Sequence, residues 1–311
     1  MTVLQILPML LLGLALTVKG GDLFVDAAVW IARALGLPQF LVGATLVSVA
    51  TTLPEVAVSL MAAARGATGI AAGNAVGSVT ANLGLILGLC LCVAPAAAGR
   101  SNLSLMVVAA SLLLLLCSPG ALSAGGALAM LAVGAAFLGG SALEGRRRLA
   151  SGNRPPRPGA RAVATHIAKF AAGAAGIAAG ARLLSDYGAA LARLMGVPEG
   201  VIGATLVAVG TSLPELVTAV AALRRGQAAL SVGNIVGANI IDLALILPLC
   251  ALSGGAPLPL PRQSLALDLP FCLLLCLIAA LPALPRRRLY RGQGAALLGT
   301  YAAYVALVIR S

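Results

Sequence analysis

The sequence predicts an all-α membrane protein of ten transmembrane helices, built as two inverted five-helix repeats. Three observations predict it: an apolar composition, a long internal self-match at one fixed offset, and the placement of the arginines. Of the 311 residues, 60% are hydrophobic and 10% charged, with a mean hydropathy of +1.03. That balance lies outside the range of soluble globular domains. A helical crossing needs roughly 20 apolar residues, so the chain has room for about ten. A β-barrel would need strands alternating apolar and polar, and runs such as 111–117 and 271–280 do not alternate.

In the first copy the helices are expected at 2–35, 39–64, 69–93, 101–118 and 123–143, and in the second at 162–195, 199–223, 228–251, 264–282 and 290–310. The apolar run 4–18 has no Lys or Arg before it, unlike a signal peptide, and counts as the first helix. The self-match sets Gly43-Ala-Thr-Leu-Val-Ser-Val-Ala-Thr-Thr-Leu-Pro-Glu55 against Gly203-Ala-Thr-Leu-Val-Ala-Val-Gly-Thr-Ser-Leu-Pro-Glu215, with ten of thirteen positions identical at an offset of 160. The same offset aligns Gly73-Asn-Ala-Val-Gly77 with Gly233-Asn-Ile-Val-Gly237, Asn82 with Asp242, and Asp26 with Asp186. The chain therefore divides into a first repeat (1–143), an Arg-rich joint (144–161) and a second repeat (162–311). Five crossings per copy is odd, so the second copy enters the membrane from the opposite side. Fourteen arginines fall in joints on one side, including Arg146, Arg147 and Arg148, against four on the other. The positive-inside rule then puts the joint in the cytoplasm and both termini outside. Inverted repeats are a common build of secondary transporters, with the substrate near midplane where the copies meet.

The net charge of +12 would suit nucleic acid in a soluble protein, but aromatics make up only 3% of the chain, too few to interleave stacking platforms with the basic residues. No nucleic-acid partner is expected; membrane lipid is. The six cysteines, Cys90, Cys92, Cys117, Cys250, Cys272 and Cys276, lack metal-site spacing and are read as small buried hydrophobes. Arg outnumbers Lys and Ala, Gly and Pro are abundant, the usage of a GC-rich prokaryotic genome. The expected location is the cell membrane, for a bacterium the inner one.

Only nine residues are acidic. Glu144, Glu199 and Asp268 are placed in the joint or near helix ends as solvated or interfacial charges. Asp22, Asp26 and Asp186 sit in long apolar helices beside Lys19 and Arg182, where ion pairing or an access path would use them. Glu55, Glu215 and Asp242 have no basic residue within a helical turn. A lone carboxylate in hydrocarbon costs at least a few kcal/mol and marks a functional site, compensated here by a bound cation or a proton. Around them stand oxygen donors suited to a hard cation: Thr51, Thr52, Thr211, Ser212, Ser78 and Asn82. Pro54 and Pro214 each remove an amide donor and free carbonyls one turn earlier, near Ala50, Thr51, Gly210 and Thr211. The glycines at 73, 77, 233 and 237 are read as helix-packing positions.

The paired Thr-Thr-Leu-Pro-Glu55 and Thr-Ser-Leu-Pro-Glu215, each followed by Gly-Asn-x-Val-Gly, resemble the two α-repeats of the cation/calcium exchanger superfamily, most of all its prokaryotic sodium/calcium exchangers. The resemblance implies a secondary antiporter, not an enzyme, that needs no cofactor and carries calcium and sodium as substrates. It implies calcium on Glu55 and Glu215 with the carbonyls of Thr51 and Thr211. It places one sodium at Ser48, Thr52 and Ser78 and another at Ala208, Thr211 and Ser212, with Asn82 and Asp242 between. Ala238 stands where the family usually has serine, and Val79 where asparagine is frequent. The implied mechanism is alternating access, in which one calcium or several monovalent cations compete for the same glutamates. The first and sixth helices slide past the bundle on Gly20, Gly21, Gly173, Gly176 and Gly180. A calcium/proton antiporter with the same site is the alternative. An intramembrane hydrolase using paired acids would not need the duplicated hydroxyls and amides, and a passive channel would give flux that neither saturates nor depends on a counter-ion.

Overall fold

The computed structural model describes residues 3–97, 99–150, 158–196, 210, 212–254 and 257–310. Its membrane helices are α1 (Val3–Leu35), α2 (Gln39–Ala64), α3 (Thr68–Val93), α4 (Arg100–Cys117), α5 (Ala124–Ala150), α6 (Ala160–Leu194), α7 (Leu213–Arg224), α8 (Ala228–Ser253), α9 (Ser264–Pro285) and α10 (Arg291–Arg310). Among the described residues, nine are long and apolar enough to cross a bilayer. The exception is α7, whose expected first half falls outside the described residues. The chain is a multi-pass membrane protein with the ten-helix inverted-repeat fold. α5 runs through Ala150, well into the stretch expected to be joint, because 144–150 holds no proline and its Glu, Arg, Leu and Ala residues favour a helix against the single Gly145.

Two small ribbons make the inversion visible. β1 (Ala96–Ala97), just before α4, pairs antiparallel with β4 (Arg288–Leu289), just after α9. β2 (Ala121–Leu122), just after α4, pairs with β3 (Leu258–Pro259), just before α9. The start of α4 therefore lies by the end of α9 and the end of α4 by the start of α9, so the two equivalent helices run in opposite directions.

α1 and α6 form a closely packed pair. A Cβ on Gly20 would stand 2.8 Å from the Ile177 amide nitrogen, and one on Gly180 would stand 2.7 Å from that of Thr17. Only glycine lets the backbones approach so closely. This corrects the expectation of a glycine sliding surface. Gly20, Gly173, Gly176 and Gly180 face one another across the α1–α6 seam and bind the pair into one body. Gly21 alone of the five turns to the bundle, against Val217 of α7.

The core is α2, α3, α7 and α8. A Cβ on Gly233 would collide with the Phe40 carbonyl, one on Gly237 with that of Ala44, and one on Gly43 with that of Leu230. No described residue stands within 4 Å of a Cβ at Gly73 or Gly77. The positions equivalent to Phe40 and Ala44 in the second copy, 200 and 204, lie outside the described residues.

Two further expectations are corrected. Asp268 is buried, accepting hydrogen bonds from Ser264 Oγ at 2.9 Å and Tyr304 OH at 2.9 Å. A carboxylate drawn inside needs such donors. The Tyr304 bond fastens α10 to α9, as Gln293 Nε2 does at the other end by donating to the Ile278 and Ala279 carbonyls at 3.1 and 3.0 Å. Five cysteines are buried but Cys92 is exposed. The expected ion pairing of the helix aspartates is present: Asp26 pairs with Lys169 and Arg225, Asp22 with Arg225, and Asp186 with Arg182. Glu199 lies outside the described residues.

Candidate cation site

Each half of the site is carried by an irregular turn. α3 contains a π-helical turn at Asn82–Leu87 and α8 one at Asp242–Ile246, at the repeat offset. Such widened turns are rare and concentrate at functional sites. Each begins on the polar residue of its copy, Asn82 or Asp242. A further π-turn, Gly43–Val47, precedes the glutamate helix of the first copy. Pro54 sits inside the continuing helix Ser48–Ala64, whereas Pro214 stands in the first turn of α7 with Glu215 directly after it.

These turns gather the acidic residues at the centre. Glu55 and Glu215 are each 1% exposed and Asp242 is fully buried. Contacts cross between the copies: Thr52 Oγ1 donates to Glu215 Oε1 at 3.5 Å, and Thr51 Oγ1 to Asn234 Oδ1 at 3.2 Å. Among the described residues, both carboxylate oxygens of Glu55 and of Asp242, Oε2 of Glu215, Oδ1 of Asn82 and the hydroxyls of Ser78 and Ser212 have no hydrogen-bond partner. Buried polar groups are nearly always paired. A cluster of unpaired oxygens with no basic side chain among them has the chemistry of a hard-cation cage. Among the described residues no three Asp, Glu, His or Cys side chains group closely enough to hold one metal ion by themselves, so a shell around the glutamates has to draw on hydroxyl, amide and carbonyl oxygens; Asn234 Nδ2 is the one nitrogen among the unpaired buried atoms.

Of the expected site residues, Glu55, Thr51, Thr52, Ser78, Asn82, Ser212, Glu215 and Asp242 are all buried in this core. Ser48 is buried too, but its hydroxyl donates to the Ala44 carbonyl at 2.8 Å and lies against Gly237. Thr211 and Ala208 lie outside the described residues. Asn74 and Asn234, not among the expected site residues, also bond into this core. Asn74 Nδ2 donates to Ser59 Oγ at 2.8 Å and to the Glu55 carbonyl at 3.4 Å. Both asparagines stand in the repeated Gly-Asn-x-Val-Gly, so the duplication itself was the available signal. A narrow cleft of about 10 Å³, room for about one water, reaches Ala50, Thr51, Pro54 and Pro214 from Ala174, Ile177 and Ala178 of α6.

Comparison with known proteins finds relatives along nearly the whole chain. The family model described as "Sodium/calcium exchanger protein" matches residues 6–142 and 165–310. The chain is 32% identical over 341 residues to the sodium/calcium exchanger MaX1 of Methanosarcina acetivorans, covering 96% of this chain and 97% of that protein. It is 34% identical over 322 residues to the inner membrane protein YrbG of Escherichia coli, covering 96% and 95%. Among solved structures it is similar to the sodium-calcium exchanger NCX_Mj soaked with sodium and strontium, with a TM-score of 0.86 at 28% identity over 98% of this chain and 99% of that one.

Proposed function

The chain belongs to the sodium/calcium exchanger protein family, and from that premise we propose that it exchanges calcium for sodium across the cell membrane through the cage at Glu55 and Glu215. The observation that carries this reading is the convergence, from opposite copies, of buried carboxylate oxygens without hydrogen-bond partners. Calcium takes six to eight oxygens, often with bidentate carboxylates. Glu55 and Glu215 supply four, and the carbonyls of Thr51 and Thr211 complete the nearest shell. Sodium ions take the same glutamates with the hydroxyls of Ser48, Thr52 and Ser78 in one half, and with Ala208, Thr211 and Ser212 in the other. Asn82 and Asp242 lie between. Exchange follows because two sets of cations compete for one pair of carboxylates. An empty cage would leave mutually repelling charges at membrane depth, which disfavours crossing without cargo.

Alternating access moves α1 and α6 together past the core, consistent with their backbone-to-backbone packing. The arginine distribution orients the α5–α6 joint to the cytoplasm, with both termini outside. The test is radioactive calcium uptake into proteoliposomes loaded with sodium, or with choline under a pH gradient. Sodium-driven uptake that Glu55→Gln and Glu215→Gln each abolish is expected. Uptake driven only by the pH gradient would move the counter-ion to a proton, and uptake indifferent to both glutamates would refute the site.

A further inference from the structure

At one end of the bundle the paired helices α1 and α6 are tied to the core by an ion-pair cluster. Arg225, the residue after α7, reaches Asp26 of α1 at 3.2 Å and Asp22 at 3.8 Å, and Lys169 of α6 reaches the other oxygen of Asp26 at 3.2 Å. The repeat offset carries Asp26 onto Asp186 of α6 and Arg225 onto Arg65, the residue after α2. In an inverted-repeat fold the counterpart of an Asp26–Arg225 contact is therefore an Asp186–Arg65 contact at the opposite end. The backbones there are equivalent. Arg65 and Arg225 have φ, ψ of −91°, 4° and −94°, 8°, and each is followed by a left-handed glycine, Gly66 at φ 74° and Gly226 at φ 67°. The side chains are not equivalent: Asp186 pairs with Arg182 on its own helix at 3.7 Å, and among the described residues Arg65 makes no ion pair.

We propose that Asp26–Arg225 and Asp186–Arg65 are alternating latches, made one at a time, that hold the α1–α6 pair at the two ends of its travel. The proposal rests on the alternating-access reading above. Moving α1 and α6 together carries Asp26 away from Arg225 and brings Asp186 to Arg65. The partners in the closed cluster are all more than a third exposed, and such pairs are individually weak, which suits contacts broken in every cycle. The two latches are also unequal. Arg225 meets two carboxylates, Asp22 and Asp26, whereas the position equivalent to Asp22 is Arg182, which competes with Arg65 for Asp186. The resting population is therefore biased toward the state latched at Arg225.

The test uses the full chain with Cys92→Ser, since Cys92 is the exposed cysteine. Two cysteine pairs, Asp26→Cys with Arg225→Cys and Asp186→Cys with Arg65→Cys, are bridged by a bifunctional methanethiosulfonate reagent that a reductant cleaves. Bridging is scored in saturating sodium, saturating calcium and neither. We expect the yields of the two bridges to move in opposite directions between ionic conditions, a chain with all four cysteines to take one bridge at a time, and either bridge to arrest exchange until reductant is added. Arg225→Gln, in the chain carrying only the 186/65 pair, should raise its bridging yield. A 186/65 pair that never bridges, both bridges in one molecule, or exchange that continues through a bridge would overturn the proposal. Alternating bridges in a protein that moves no calcium would uphold the latches and sink only the cargo assignment.

Discussion

Gly173 and Gly176 lie one turn apart on the same face of α6, and the structure assigns their alanine variants different outcomes. A Cβ at Gly173 would meet the Phe24 amide nitrogen at 2.6 Å and the Gly20 carbonyl oxygen and Phe24 Cα at 2.8 Å. All three are backbone atoms of α1, so no rotamer change can relieve them. The nearest contact is about 0.8 Å inside ordinary van der Waals separation, and the helices would have to part by a comparable amount. Overpacking of this kind costs about 1–3 kcal/mol. A Cβ at Gly176 would meet Gly20 Cα at 3.3 Å, which a shift of about a tenth of an ångström accommodates. Both variants gain about 1 kcal/mol of helix propensity. Gly176→Ala should therefore be neutral to slightly stabilising, and Gly173→Ala less stable than it by about 1–3 kcal/mol. Thermal unfolding in one detergent, read on both variants together, measures the difference. Equal stabilities would show that α1 and α6 are not held backbone to backbone, and with that the claim that they move as one body would fall.

The site makes three further predictions. Asn234→Ala removes the acceptor for the Thr51 hydroxyl and should weaken calcium binding by about fivefold, the equivalent of one hydrogen bond, read as a raised half-saturating calcium concentration. Ala238→Ser restores a hydroxyl opposite Ser78 in the second copy and should steepen the sodium dependence of exchange; an unchanged Hill coefficient would count against a sodium subsite there. Tyr304→Phe removes a donor to the buried Asp268 carboxylate and should cost about 1.5–3 kcal/mol of stability, as hydrogen bonds to charged groups do, while leaving ion selectivity unchanged, checked by unfolding alongside flux.

Much of this was legible in the sequence because lipid and duplication both leave strong patterns. Helix count follows from apolar length, and the inversion from an odd number of crossings; the β1–β4 and β2–β3 ribbons agree with it. Glu55, Glu215 and Asp242 were legible because an unpaired acid in an apolar run has few explanations. The misses share a cause: they depend on which face of a helix a residue occupies against a partner distant in sequence. Gly20 and Gly21 are adjacent, yet one meets α6 and the other α7. Asp268 looked interfacial because its donor Tyr304 is 36 residues away. The π-turns at Asn82 and Asp242 leave no composition signal, since Asn-Leu-Gly-Leu-Ile-Leu and Asp-Leu-Ala-Leu-Ile read like the α-helix around them.

An inverted repeat supplies two end states that are mirror equivalents in energy as long as the copies are identical, so whatever bias the exchanger has must come from positions where the copies differ. At the site these are Asn82 against Asp242, Ser78 against Ala238 and Ser48 against Ala208; at the ends of the bundle, Asp22 against Arg182 and Lys169 against Met9. The first set decides how many charges and hydroxyls the cations meet, and is the same in both states because the cage stays central. The second set changes partners as α1 and α6 travel, so it acts on the population of states without touching the cargo. Substitutions of the first kind should therefore alter affinity and coupling ratio from both sides of the membrane alike. Substitutions of the second kind should alter the forward and reverse rates unequally, and only such an inequality separates a latch residue from one that merely stabilises the fold.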